Sequence, residues 1–323
     1  MALGRLVEAL EPLKSALNLR ERSERWVFVT GVAANLSDLE MTLGEMEAAE
    51  RYAKKAVDLA DRSGDDFQRA EYRAALADVL HQKGHRQKAQ EYFVQAEAIQ
   101  STKRPESPLL HSRQGFLYCD LLLVESERAS WWQILTLDSG ALGSGWEDIC
   151  YLIEVRAAWT LTLDKAHRSS LVILALAHLN LGRLAIFQAL PQPNGSQRTA
   201  ILEVARTLIV TSVVGLRAAG TIHELPRGLL SRSWQRSLTG PLTGPESAQA
   251  DLDEAWEIAQ RGPMPLFLAD ILLHRTRLFF REKTYPWPNT TAKADLAEAR
   301  RLITKHGYWR RKEELEDAEA VIK

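Results

Sequence analysis

Small and apolar residues recur along this chain as a triplet at positions i, i+4 and i+7. The clearest cases are Ala49, Ala53 and Ala56, then Ala89, Phe93 and Ala96. Side chains at that spacing share one helix face, so each triplet predicts a flat stripe on which a second helix can lie closely. Each stripe follows a glycine, Gly44 or Gly84, and before each glycine stands a small or apolar pair, Leu36-Ser37 or Leu76-Ala77. The two blocks are offset by 40 residues throughout. A fixed period of that length marks a stacked helical repeat. The glycine ends the first helix in a left-handed conformation. The small side chains then let two antiparallel helices cross at about 8–10 Å.

The same offset puts Gly4, Ala9, Leu13 and Ala16 in the second half of an earlier unit. Residues 1–20 are therefore expected to be an incomplete first repeat, and the chain a piece of a longer protein. Residues 24–100 read as two regular repeats, with helices over 24–43, 46–62, 66–83 and 86–100. The region 109–220 reads as irregular central repeats. Its first helix runs from Leu109 to Val124, but the companion over Glu125–Leu135 breaks the stripe, Ala129 being followed by Gln133 and Thr136. The glycine-rich stretch 138–146 is expected to be an inserted loop. Helices over 147–165 and 168–181 follow, the second ending at Gly182. The stripe returns as Ala205, Ile209 and Ser212, then within 221–306 as Ala248, Leu252, Ala255 and as Ala292, Leu296, Ala299. Residues 309–322, rich in Arg, Lys and Glu, read as a capping helix with a polar outer face.

This pattern resembles the tetratricopeptide repeat, a helix–turn–helix unit of about 34 residues. The longer units here look like the arrays C-terminal to the ATPase in bacterial signalling proteins of the STAND/NACHT type. The resemblance implies an all-α, superhelical solenoid of about seven repeats, elongated rather than globular. It also implies a concave groove lined by the first helices of successive units, and an ATPase or effector module upstream. Carried over position by position, it places Asp38 and Asp78 at one equivalent site with Asn35, Glu71 and His81 nearby. Arg227, Trp234, Asp270 and Arg277 fall on the corresponding face of the later units. These nine residues are the expected partner-binding face, acidic toward the N-terminal end and carrying arginines that can fork onto carboxylates toward the other.

Charge changes the picture little. The 41 Lys and Arg balance 42 Asp and Glu across 323 residues, giving a net charge of −1 and no general attraction to nucleic acid or an anionic membrane. Two cysteines without a CxxC pair exclude a disulfide framework or zinc ribbon and fit a reducing, cytoplasmic setting. The N-terminus carries charge within eight residues and has the form of neither a signal peptide nor a membrane span.

Candidate chemistry is sparse. No GxxxxGK[ST] loop occurs, and Gly140, Gly143 and Gly145 follow no strand, so no nucleotide site is expected. His81 and His85 have a spacing that suits a metal on one helix, but Gly84 breaks the helix between them, and His81 is expected at the helix-end carbonyls. Cys119 lies among Leu117, Leu121 and Leu122 and reads as a small buried residue rather than a nucleophile. Of nine tryptophans, the pair Trp131-Trp132 is the densest, either filling gaps in the irregular unit or anchoring a partner. The expectation is a non-catalytic scaffold without cofactor or metal, which binds a protein or peptide through the groove and through loops at 101–108, 138–146 and 190–196. The rivals are a nucleic-acid-binding solenoid using Arg227, Arg232, Arg236 and Arg277, and the regulatory region of an enzyme whose catalytic part lies elsewhere.

Overall fold

The computed structural model describes residues 6–21, 26–138, 145–167 and 170–322. Among these there are helices and turns and no strand. A lone helix α1 (Leu6–Glu21) is followed by two regular pairs, α2 (Trp26–Thr42) with α3 (Met46–Ser63) and α4 (Asp66–Gln82) with α5 (Arg86–Lys103). The irregular middle contains α6 (Ser112–Leu122), α7 (Val124–Thr136) and α8 (Trp146–His167). Three more pairs follow: α9 (Leu171–Ala189) with α10 (Ser196–Ala218), α11 (Leu225–Thr239) with α12 (Ala248–Arg261), and α13 (Pro265–Phe279) with α14 (Ala292–His306). A 3-10 turn at Trp309–Arg311 leads into α15 (Lys312–Val321). Gly4 and most of the 138–146 insertion lie outside the described residues.

The stripes are where the pairs close. All six stripe residues of α3 and α5 are at most 1 % exposed, and Ala205, Ile209, Ser212, Ala248, Leu252 and Ala255 are wholly buried. Ser37 of α2 donates to the carbonyl oxygen of Ala49 at 2.8 Å, a bond that only a close crossing allows. Helix ends follow local chemistry. Asp65, Ser247 and Thr291 accept from the backbone N–H three residues on, at 2.9, 3.1 and 3.1 Å, each satisfying an otherwise unpaired donor.

Three expectations need correction. Gly182 does not end its helix, because α9 runs on to Ala189. A Cβ there would sit 2.5 Å from Ile209 Cγ1, so Gly182 serves the close approach of α10. Secondly, α7 is not the companion of α6. Its side chains reach the far end of the chain, with Arg128 on Asp317 and Glu313, and Trp131 stacked on Trp234. A helix that reaches these distant partners does so through long side chains such as Arg128 and Trp131 rather than through a small-residue stripe.

Thirdly, the solenoid is not an open spiral. Its C-terminal end returns to the inter-helix turns of the two regular repeats. A Cβ on Gly44 would lie 2.4 Å from Pro265 Cγ and 2.6 Å from His306 Nδ1, and one on Gly84 would lie 2.9 Å from Trp309 Cβ. Both glycines have positive φ, +81° and +78°. They end their helices and also admit the returning chain.

Candidate functional site

Because the superhelix closes, the faces of α2, α4, α6, α9, α11 and α13 look inward, and the residues expected on a concave groove divide between two spaces. The first is a cleft of about 350 Å³ between α2, α4 and the start of α6. It gathers Asn35, Asp38, Glu71 and Asp78, as the repeat register predicts, against Met41, Tyr72 and Leu117. Arg113 of α6 crosses it, donating to Asp38 at 2.8 Å and to Glu224 at 2.9 Å. Asp78 accepts from Gln82 at 2.7 Å. Burial raises the carboxyls of Asp78 and Glu71 above their ordinary range, the field of Arg227 opposing this at Asp78 and that of Arg113 at Glu71. Glu71 makes no hydrogen bond among the described residues.

The second space is a chamber at the centre of the closed turn, walled by all six inward helices and the C-terminal segment from Tyr308 to Arg311. Arg227, Trp234 and Asp270 line it. So do residues that the repeat pattern alone does not single out. Asp120 receives Arg183 at 2.7 Å and Arg310 at 3.0 Å; Glu127 receives Arg183 at 3.0 Å and Arg311 at 3.2 Å. Asp270 receives Arg311 at 2.8 Å and the Tyr308 hydroxyl at 3.0 Å. Burial alone would raise Glu127, but the surrounding Arg311, Arg183 and Arg310 hold it down at about 2. The same opposition, with Arg310 and Arg183 prevailing, keeps Asp120 well below the carboxylate range. Buried ions persist only when matched in this way.

The remaining expected residues are consumed by the fold. His81 is 2 % exposed; its Nε2 lies 3.8 Å from Asp120, and burial followed by the field of Arg310 keeps the ring neutral. Arg277, also 2 % exposed, lies over the Trp131 ring at 4.8 Å and meets Glu314 at 2.9 Å. Trp131 fills a gap rather than awaiting a partner, its ring centroid 3.7 Å from that of Trp234, whereas Trp132 is 38 % exposed. The arginine stripe of the nucleic-acid reading does not form. Arg227 pairs with Glu224, Arg232 and Arg236 with Asp251, and Arg277 with Glu314. Burial pushes the Cys119 thiol up to about 12, so it stays protonated and unreactive. Among the described residues no three His, Cys, Asp or Glu side chains are placed to hold a metal.

Helix pairs, inter-helix glycines and small-residue crossings converge on one architecture. Residues 29–102 match the Tetratricopeptide repeat family. This segment is similar to tetratricopeptide repeats, and it covers most of α2 through α5. No curated protein matches the chain. Tetratricopeptide repeats generally mediate protein–protein interaction as scaffolds and are typically non-catalytic. The 40-residue spacing that links Asp38 to Asp78 leads on to Tyr118 and passes over Asp120 by two positions. Nothing local marks Arg310 and Arg311, whose partners lie 190 and 41 positions away.

Proposed function

We propose that this protein is a non-catalytic scaffold that takes a protein or peptide segment in the cleft between α2, α4 and α6. In this reading it is the sensing or regulatory arm of a larger cytoplasmic signalling assembly of the bacterial STAND/NACHT type, with an ATPase or effector module upstream. The observation that carries it is Glu71: a half-buried carboxyl whose side chain makes no hydrogen bond among the described residues, at the edge of a space where Asp38 and Asp78 add two more carboxyls, opposed by Arg113 and, at Asp78, by the field of Arg227. A segment presenting a lysine or arginine fits that imbalance. The tetratricopeptide match over the same helices supports a protein ligand rather than a substrate.

The test is affinity capture from the native host with the intact chain, followed by quantitative binding of whatever is retained. Glu71→Lys should weaken retention at least tenfold while leaving the unfolding midpoint near that of the wild type. Capture that is indifferent to Glu71→Lys and Asp38→Asn would place the interface elsewhere. Because the arginines of the nucleic-acid reading are paired internally, a salt-sensitive shift on single-stranded RNA is not expected.

A further inference from the structure

The central chamber presents a hydrogen-bonding edge that its own walls leave unused. Four arginines and three carboxylates line it. Arg183, Arg310 and Arg311 are spent on Asp120, Glu127 and Asp270. His274, also on the wall, is neutral at pH 7, since burial and then the field of Arg277 lower it to about 4. Arg227 is different. Its one hydrogen bond runs from Nε to Glu224 at 2.7 Å, and Glu224 is not part of the wall. The two terminal nitrogens of Arg227 carry no hydrogen bond among the described residues. The guanidinium is held by the rings of Phe116 and Phe267, at 5.8 and 5.4 Å. A planar fork fixed at its inner nitrogen and steadied by two rings is arranged to receive a carboxylate on its outer edge.

A second donor points to the same occupant. Arg227, Leu230, Ser231 and Trp234 occupy positions i, i+3, i+4 and i+7 of α11 and all line the chamber. Trp234 is 4 % exposed, yet its Nε1 has no hydrogen-bond partner. A buried donor without an acceptor costs about 1–3 kcal/mol, so an acceptor supplied by a ligand is favoured there. Two helical turns separate the two donors, about 10 Å along the axis at 1.5 Å per residue. The space open to water is about 90 Å³, on the order of six to nine water positions. That admits a molecule of about as many heavy atoms and no folded peptide.

We propose that the chamber binds a small monocarboxylate bearing a hydrogen-bond acceptor at its far end. The carboxylate sits on the outer nitrogens of Arg227, the aliphatic body lies along Leu230, and the distal acceptor receives Trp234 Nε1–H. A doubly charged phosphate is disfavoured because the one arginine with open terminal nitrogens already shares its charge with Glu224. A cation is disfavoured because each carboxylate of the wall is already saturated. The inference does not depend on the partner reading of the α2/α4/α6 cleft, which involves different residues.

The experiment is calorimetric titration of the full chain with 6-hydroxyhexanoate, with 6-hydroxyhexanamide and hexanoate as comparisons. Saturable binding of 6-hydroxyhexanoate is expected, at least tenfold tighter than the amide and measurably tighter than hexanoate. Arg227→Met should weaken it at least tenfold. Trp234→Phe, which keeps a ring stacked on Trp131, should abolish the preference for the hydroxy acid over hexanoate. No saturable heat with the unmodified chain, or equal binding of acid and amide, overturns the proposal without reference to any variant.

Discussion

His306 donates from Nδ1 to the carbonyl oxygen of Gly44 at 3.1 Å, a hydrogen bond across 262 positions of sequence. It joins the end of the last helix pair to the turn of the first complete one. Around it Pro265 packs where a Gly44 side chain would be, and one repeat further on Trp309 packs on Gly84 in the same way. The closure of the solenoid is thus built on two turn glycines that a repeat needs in any case.

Gly44→Ala should therefore cost more than the same change at Gly64. Both residues have positive φ, but a Cβ on Gly64 meets nothing within 4 Å. Gly64→Ala should cost only the left-handed backbone penalty, about 1–2 kcal/mol. Gly44→Ala adds overpacking against Pro265 and His306, about 1–3 kcal/mol more. Urea denaturation of the two variants checks the difference. Equal costs would mean that the closure contact does not persist in solution.

Arg310→Met should destabilise strongly. It leaves Asp120 and Glu127 buried with one cation fewer, and removing one partner of a buried pair costs about 3–5 kcal/mol. The comparison is Arg206→Met, which breaks an exposed i,i+3 pair with Glu203 and should leave the melting midpoint unchanged. Thermal melts of both variants under one buffer decide it.

Acid should unfold the protein from the inside. Glu127 and Glu224 are held at about 2, in each case by arginines that outweigh burial. Their unfolded counterparts titrate near 4.5. A depressed carboxyl contributes stability that is fully present above the unfolded value and is lost as pH falls through the folded one. Stability should thus decline between about pH 5 and pH 2, by about 3 kcal/mol for each of the two groups. Asp78 and Asp251, raised by burial, work in the opposite direction and blunt the decline. Denaturation midpoints measured at pH 7, 4.5 and 3 would test this, and a flat profile would contradict it.

Much of the fold was legible because it depends on short-range geometry. Ala49, Ala53 and Ala56 announce a helix crossing from spacing alone, and the four residues Asn35, Asp38, Glu71 and Asp78 came together because they share one repeat register. What failed was long-range. Arg310 carries no mark of its pairing with Asp120, and nothing near Gly44 says that Pro265 will pack on it. Helix α7 was legible in its bounds but not in its partners, since Trp131 and Arg128 find theirs more than 100 positions later. A repeat sequence encodes how each unit meets its neighbour. Whether the last unit meets the first depends on side chains outside the repeat pattern.

Small-angle X-ray scattering of the intact chain tests that closure most directly. With Trp309 on Gly84 and His306 on Gly44, the radius of gyration should be that of a compact chain of this length, about 20 Å. Gly44→Ala should raise it. A wild-type value of about 25 Å or more, the signature of an extended array, would mean that the turn stays open and that the central chamber does not exist.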